Sequence, residues 1–134
     1  DDGRATATSF VEEGADIIMP VAGPVGLGSA AACLESGSCW IIGVDTDLVV
    51  AAPEYESIVL TSVQKKMDNA VYDTIKAAMD GTFQGGGVYV GTLANGGVDL
   101  APFHAFDSQV SAELKAEIEQ LKADIISGAV KVSQ

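Results

Sequence analysis

Asp16-Ile17-Ile18-Met19-Pro20-Val21-Ala22-Gly23-Pro24-Val25-Gly26, followed after a small-residue segment by Trp40-Ile41-Ile42-Gly43-Val44-Asp45-Thr46-Asp47, decides the fold. The first piece is a short apolar run set between glycines, the pattern of a strand covered on both faces. Pro20 lacks an N–H, so this strand ends early or lies near a sheet edge. Gly23-Pro24-Val25-Gly26 then turns tightly into a helix over 27–36 that stops at Gly37, and the Trp40 run is a second buried strand. Strand, helix and strand in this order make a βαβ unit, hence an α/β fold with a parallel sheet.

Outward from this unit, the residues before Gly14 lack strand alternation and read as the end of a helix, with Gly14 as its C-cap. A third strand is predicted at Ile58 to Val63 and a helix at Met67 to Asp80, with Val71, Ile75, Ala78 and Met79 on one face. Gly85-Gly86-Gly87 and Asn95-Gly96-Gly97 mark turns on either side of Val88-Tyr89-Val90. Ser111 caps a last helix whose stripe is Leu114, Ile118, Leu121 and Ile125, ended by Gly128. Val130-Lys131-Val132 is a short strand or an extended tail. Trp40, Tyr72, Phe83 and Tyr89 are expected to pack in the core. Three clear strands make only half a doubly wound sheet, so the chain reads as a piece of something larger.

The 134 residues suffice for one domain, and with 48% apolar side chains the chain is too hydrophobic for an acidic disordered tail. Seven basic against nineteen acidic residues leave a net charge of -12, which disfavours a nucleic-acid partner because phosphate binding needs clustered cations. No apolar run approaches the roughly 20 residues that span a bilayer.

Asp45 and Asp47 fall at the carboxyl end of a buried strand, where open α/β sheets hold their ligands. A carboxylate there can accept hydrogen bonds from two vicinal sugar hydroxyls; the alternative is that each caps the next turn or faces water. Gly23 to Gly28 supplies close backbone approach at a helix start but lacks the lysine and hydroxyl of a P-loop, and tight βα geometry explains it equally well. Lys65 and Lys66, which follow the third strand, are either solvated charges or donors to a ribose that Asp45 accepts from. His104 is the only histidine and has neither zinc-ligand spacing nor a nucleophile elbow near it. No catalytic set, metal site or cofactor is expected. Cys33 and Cys39 bracket the end of a helix and the start of a strand; in an exported protein they would form a disulfide, in a cytosolic one two core thiols.

Gly14-Ala15-Asp16-Ile17-Ile18-Met19-Pro20-Val21-Ala22-Gly23, Ile42-Gly43-Val44-Asp45-Thr46-Asp47, Leu60-Thr61-Ser62-Val63 with Lys65, Ala70-Val71-Tyr72-Asp73 and Gly81-Thr82-Phe83 together resemble the C-terminal half of the basic membrane protein family. Asn95-Gly96-Gly97-Val98, Leu100-Ala101-Pro102-Phe103 and Ala123-Asp124-Ile125-Ile126-Ser127-Gly128 continue the likeness over nearly the whole chain. These are nucleoside-binding lipoproteins that serve ABC importers. The resemblance implies a type I periplasmic-binding-protein fold of Rossmann-like lobes with a mostly parallel sheet, present here as a C-terminal fragment. Residues 1–63 would be part of the second lobe, and 64–134 the hinge crossing and elements returning toward the first. It further implies that Asp45 holds the ribose hydroxyls of a purine nucleoside, that Lys65 contributes near the hinge, and that the Ala22-Gly23 backbone lines the cleft. An ABC permease would be the partner, and a lipid anchor outside this chain would hold the protein on the outer side of the cell membrane. A fragment of this kind is expected to expose apolar edges and self-associate. The alternative on the same fold is a ligand-sensing regulatory protein; an enzyme is not expected.

Overall fold

The computed structural model describes residues 2–132. Its backbone groups into two compact units: the chain up to residue 64 together with 100–109, and 65–99 together with 110 onward. Residues 100–109 thus group with the first unit rather than with the rest of the second half.

In the first unit, helix α1 (Asp2–Glu12) leads to strand β1 (Ile17–Ile18), a 3-10 turn (Gly23–Val25), helix α2 (Gly26–Ser36) and strand β2 (Trp40–Asp45). A one-turn helix α3 (Leu48–Ala51) and a second 3-10 turn (Pro53–Ile58) follow, and then strand β3 (Val59–Lys65). β1 pairs with β2 and β2 with β3, both parallel, so the βαβ reading holds. β1 is only two residues long and lies at the sheet edge, as Pro20 requires. Gly37 closes α2 in the left-handed conformation, its N–H donating to the Cys33 carbonyl. Cys33 and Cys39 are joined across this turn with their Cα atoms 4.7 Å apart.

The core of this unit is α2 laid on the sheet: Ala30, Cys33, Cys39, Ile41, Ile58 and Val59 are buried, with Val11, Ile18, Leu48, Val49 and Tyr55 packed around them. Burying Ile41 and Val59 contributes about 1.5–3 kcal/mol each. Small residues let α1 approach closely. A Cβ on Gly3 would stand 2.2 Å from the Val25 carbonyl oxygen, and Ser29 Oγ donates to the Gly3 carbonyl at 3.2 Å.

Helix α4 (Met67–Met79), strand β4 (Val98–Leu100) and helix α5 (Ala112–Ser127) make up most of the second unit, with Leu100 itself grouped in the first. Ser62 accepts from Ala101 N–H and Gly97 accepts from Lys66 N–H, so the register runs in opposite senses and β4 is antiparallel to β3. The sheet order is β1-β2-β3-β4. Ser111 caps α5 by accepting from Leu114 N–H at 3.1 Å, and Gly128 ends it in the left-handed conformation, both as the sequence predicts. Residues 88–90 form no strand, nor do 130–132, where Val130 N–H donates back to the Asp124 carbonyl at 3.1 Å.

The predicted apolar faces exist, but they are not buried. On α4, Val71 is 58%, Ile75 56% and Met79 83% exposed, and in the second unit Gly97 alone is buried among the described residues. The expectation that Trp40, Tyr72, Phe83 and Tyr89 pack in the core is likewise corrected, since all four are exposed. Periodicity and aromatic character mark an apolar face but not what covers it, and neither α4 nor α5 buries a residue among those described.

Candidate functional site

Strand β2 delivers Asp45 as its last residue, paired in register with Gln64 of β3. Its backbone sits at φ 72, in the left-handed region that few non-glycine residues adopt. There the chain turns sharply, and Thr46 N–H donates back to the Val44 carbonyl at 3.0 Å. Asp45 lines a cavity of about 340 Å³ with Pro20, Gly23, Gly26, Gly43 and Leu48, at the lower end of the range usual for small-ligand sites. The cavity lies where the loops after β1 and β2 meet outside the carboxyl ends of those strands, the ligand position of an open α/β sheet.

Glycine is needed at two of these positions. Gly23 has φ 57 and opens the 3-10 turn in which Pro24 follows. Gly43 leaves room for Ser62: a Cβ there would come within 2.3 Å of Ser62 Oγ and 2.8 Å of Leu48 Cβ. That space is used, because Ser62 Oγ accepts from Leu48 N–H at 3.0 Å and so holds the start of α3. Asp47 caps the same helix, its Oδ1 accepting from Val49 N–H at 3.1 Å. The capping alternative for Asp47 is what the structure shows.

The expected site residues are distributed as follows. Asp45 and Gly23 share one cavity. Ala22 lines a separate one of about 230 Å³ with Gly3, Phe10, Met19 and Ser29. Lys65 is the last residue of β3 rather than a residue beyond its end, because β3 runs two residues past the predicted end at Val63. It belongs to the second unit, where it lines a hollow of about 320 Å³ with Lys66, Met67, Tyr89 and Gly97. Tyr89 Oη donates to Asp73 at 3.2 Å at that unit's surface. Sequence reasoning missed the contact between His104 Nε2 and Asp47 Oδ2, 2.8 Å apart with side chains 22% and 13% exposed. Fifty-seven positions separate the two residues, and no local signal links them.

Elsewhere in the second unit Lys122 on α5 reaches Asp99 of β4 at 2.9 Å and Glu119 at 3.0 Å. The hydrogen bond to Asp99 outweighs the opposing effect of burial and holds the Lys122 ammonium above its ordinary value of 10.5. Among the described residues no cluster of three or more His, Cys, Asp or Glu side chains is placed to hold a metal ion. No described helix is long and apolar enough to cross a membrane.

The family profile described as ABC transporter substrate-binding protein PnrA-like matches residues 1–134. Basic membrane protein D of Borreliella burgdorferi is 33% identical over 97% of this chain and 38% of its own length. The CD4+ T-cell-stimulating antigen of Listeria monocytogenes is 31% identical over all of this chain and 40% of its own length. The chain therefore spans about two fifths of the relatives it matches. Among solved structures, an ABC transporter solute-binding protein of Aeropyrum pernix superposes with a TM-score of 0.80 at 25% identity, covering 98% of this chain and 44% of that one. A protein of Bacillus halodurans described as a transcriptional activator of the comK gene superposes at 0.81 with 20% identity, covering 99% of this chain and 44% of its own. The fold is that of the type I periplasmic-binding proteins, with a mixed, mostly parallel sheet.

Proposed function

This chain belongs to the PnrA-like family of ABC transporter substrate-binding proteins, and we propose that it serves an ABC importer as part of the solute-binding component, with a purine nucleoside as the solute. Families of this kind bind and hand over; no chemical step is assigned to any residue here. The observation that carries the reading is Asp45, a carboxylate held at φ 72 at the carboxyl end of β2, on a cavity of ligand size.

A carboxylate accepts two hydrogen bonds at once, which suits the vicinal hydroxyls of a ribose, and Gly23 lets backbone approach the ligand from the β1 side. Lys65 is proposed as a cationic donor and the Ala22 backbone as a further contact. An ABC permease is the proposed partner. A location outside the cytoplasm agrees with the joined Cys33–Cys39 pair, since such bonds persist in oxidising compartments, and lipid anchoring to the cell membrane is proposed with it from the likeness to the basic membrane proteins.

The test is a thermal-shift panel on the full product of the gene, against purine and pyrimidine nucleosides with free sugars and amino acids as controls. A ligand that binds only the native state raises the unfolding midpoint. A rise specific to nucleosides, lost in Asp45→Asn, supports the reading; a rise with another solute class and none with nucleosides overturns it. The Bacillus halodurans likeness favours one second reading, a ligand-sensing regulator, because that fold is also found in a protein described as a transcriptional activator. Permease and ATPase genes beside this one would favour transport, and an adjacent regulatory gene would favour sensing.

A further inference from the structure

We propose that His104 is a positioning residue for the Asp45 loop, acting through Asp47, a role that rests on the reading of Asp45 as the ligand carboxylate. The only two non-glycine residues at positive φ among the described residues are Asp45 at 72° and His104 at 44°. Each such conformation costs roughly one to two tenfold factors in population and persists where neighbours over-determine it. One carboxylate links the two: Asp47 stands two residues after Asp45, and its Oδ2 is 2.8 Å from His104 Nε2.

The rest of the loop is fixed from below. Asp47 Oδ1 is occupied by Val49 N–H, and Leu48 N–H is held by Ser62 Oγ, which is fully buried in β3. Those two bonds start α3, immediately after the turn at Asp45 and Thr46. The His104 contact adds a restraint on the second oxygen of Asp47, because Nε2–H donating to Oδ2 fixes the carboxylate plane. His104 can do this because its own segment is tied down. Ala101 N–H donates to the Ser62 carbonyl at 2.8 Å, Thr61 Oγ1 donates to the Ala101 carbonyl at 2.7 Å, and Phe106 N–H closes the turn on the Phe103 carbonyl. The return of residues 100–109 to the first unit thus carries a donor from β3 to the loop that ends β2.

The experiment compares wild type, His104→Ala and His104→Gln in the full product of the gene, with two readouts. The first is amide hydrogen exchange without ligand: His104→Ala accelerates Leu48 and Val49 about tenfold or more, while the Ile42 to Val44 and Val59 to Val63 ladder keeps its wild-type rates. The second is nucleoside affinity, which falls about tenfold or more in His104→Ala. His104→Gln, whose amide N–H reaches the same carboxylate, restores both to within about threefold. Unchanged exchange at Leu48 and Val49, a uniform acceleration through the ladder, or failure of the Gln variant to rescue overturns the role of His104. If wild type binds no nucleoside, the nucleoside reading falls, and the exchange comparison still decides His104.

Discussion

Asp45 carries both the strain and the proposed chemistry of the site. Asparagine tolerates the left-handed region as well as aspartate does, so Asp45→Asn keeps the fold and removes the charge. A charge-assisted hydrogen bond contributes about 1.5–3 kcal/mol, so nucleoside affinity in that variant should fall at least about tenfold in calorimetry, with an unfolding midpoint near wild type. Gly43 tests the floor of the same cavity. Gly43→Ala must displace Ser62 Oγ from the Leu48 amide, and overpacking of this sort costs about 1–3 kcal/mol, readable as a lower urea midpoint. Asp45 was legible because a strand of apolar residues ends on it. The Asp47–His104 contact was not, because it depends on the chain returning to the first unit after a detour through the second.

Elements show where local chemistry suffices and where it does not. Gly37, Ser111 and Gly128 each act within one turn, and the sequence places all three helix ends correctly. The Cys33–Cys39 link closes the turn between α2 and β2, and constraining so short a loop contributes roughly 2 kcal/mol in the chain-entropy account. Protein made in an oxidising compartment should show no free thiol by alkylation and mass spectrometry, and Cys33→Ser should lower its urea midpoint. Between α5 and β4 the Lys122–Asp99 contact favours the charged amine in the folded state. Its contribution is therefore present in full below 10.5 and is lost as pH rises above that value. Lys122→Met should be less stable than wild type at pH 8, with the difference narrowing at pH 11 or above. The end of β3 was misjudged because Gln64, Lys65 and Lys66 are polar, while pairing to Asp45 and Gly97 extends the strand through Lys65.

At the scale of the whole molecule the two units differ in what they bury. The first has a continuous core of α2 on the sheet, whereas α4 leaves Val71, Ile75 and Met79 open and the second unit buries little but Gly97. Low burial means low local stability, so amides of α4 and α5 should exchange faster than those of β2 and β3 by at least about a hundredfold. Equal protection in both units would contradict this. Open apolar faces also draw copies together, while a net charge of -12 holds them apart. For this chain alone, sedimentation should show a mass that rises with concentration and rises further when salt screens the repulsion. Periodicity revealed that these faces exist; it carries no information on what covers them, which is why the expectation of core aromatics failed for Tyr72 and Phe83.

The most direct measurement is a calorimetric titration of the full gene product with a purine nucleoside and with its 2′,3′-dideoxy analogue. A site whose buried carboxylate accepts from the ribose hydroxyls rejects the analogue by two or more orders of magnitude, roughly. The account predicts that loss in wild type and a much smaller one in Asp45→Asn. Equal affinity of wild type for the two ligands, or no difference between wild type and Asp45→Asn, would contradict it.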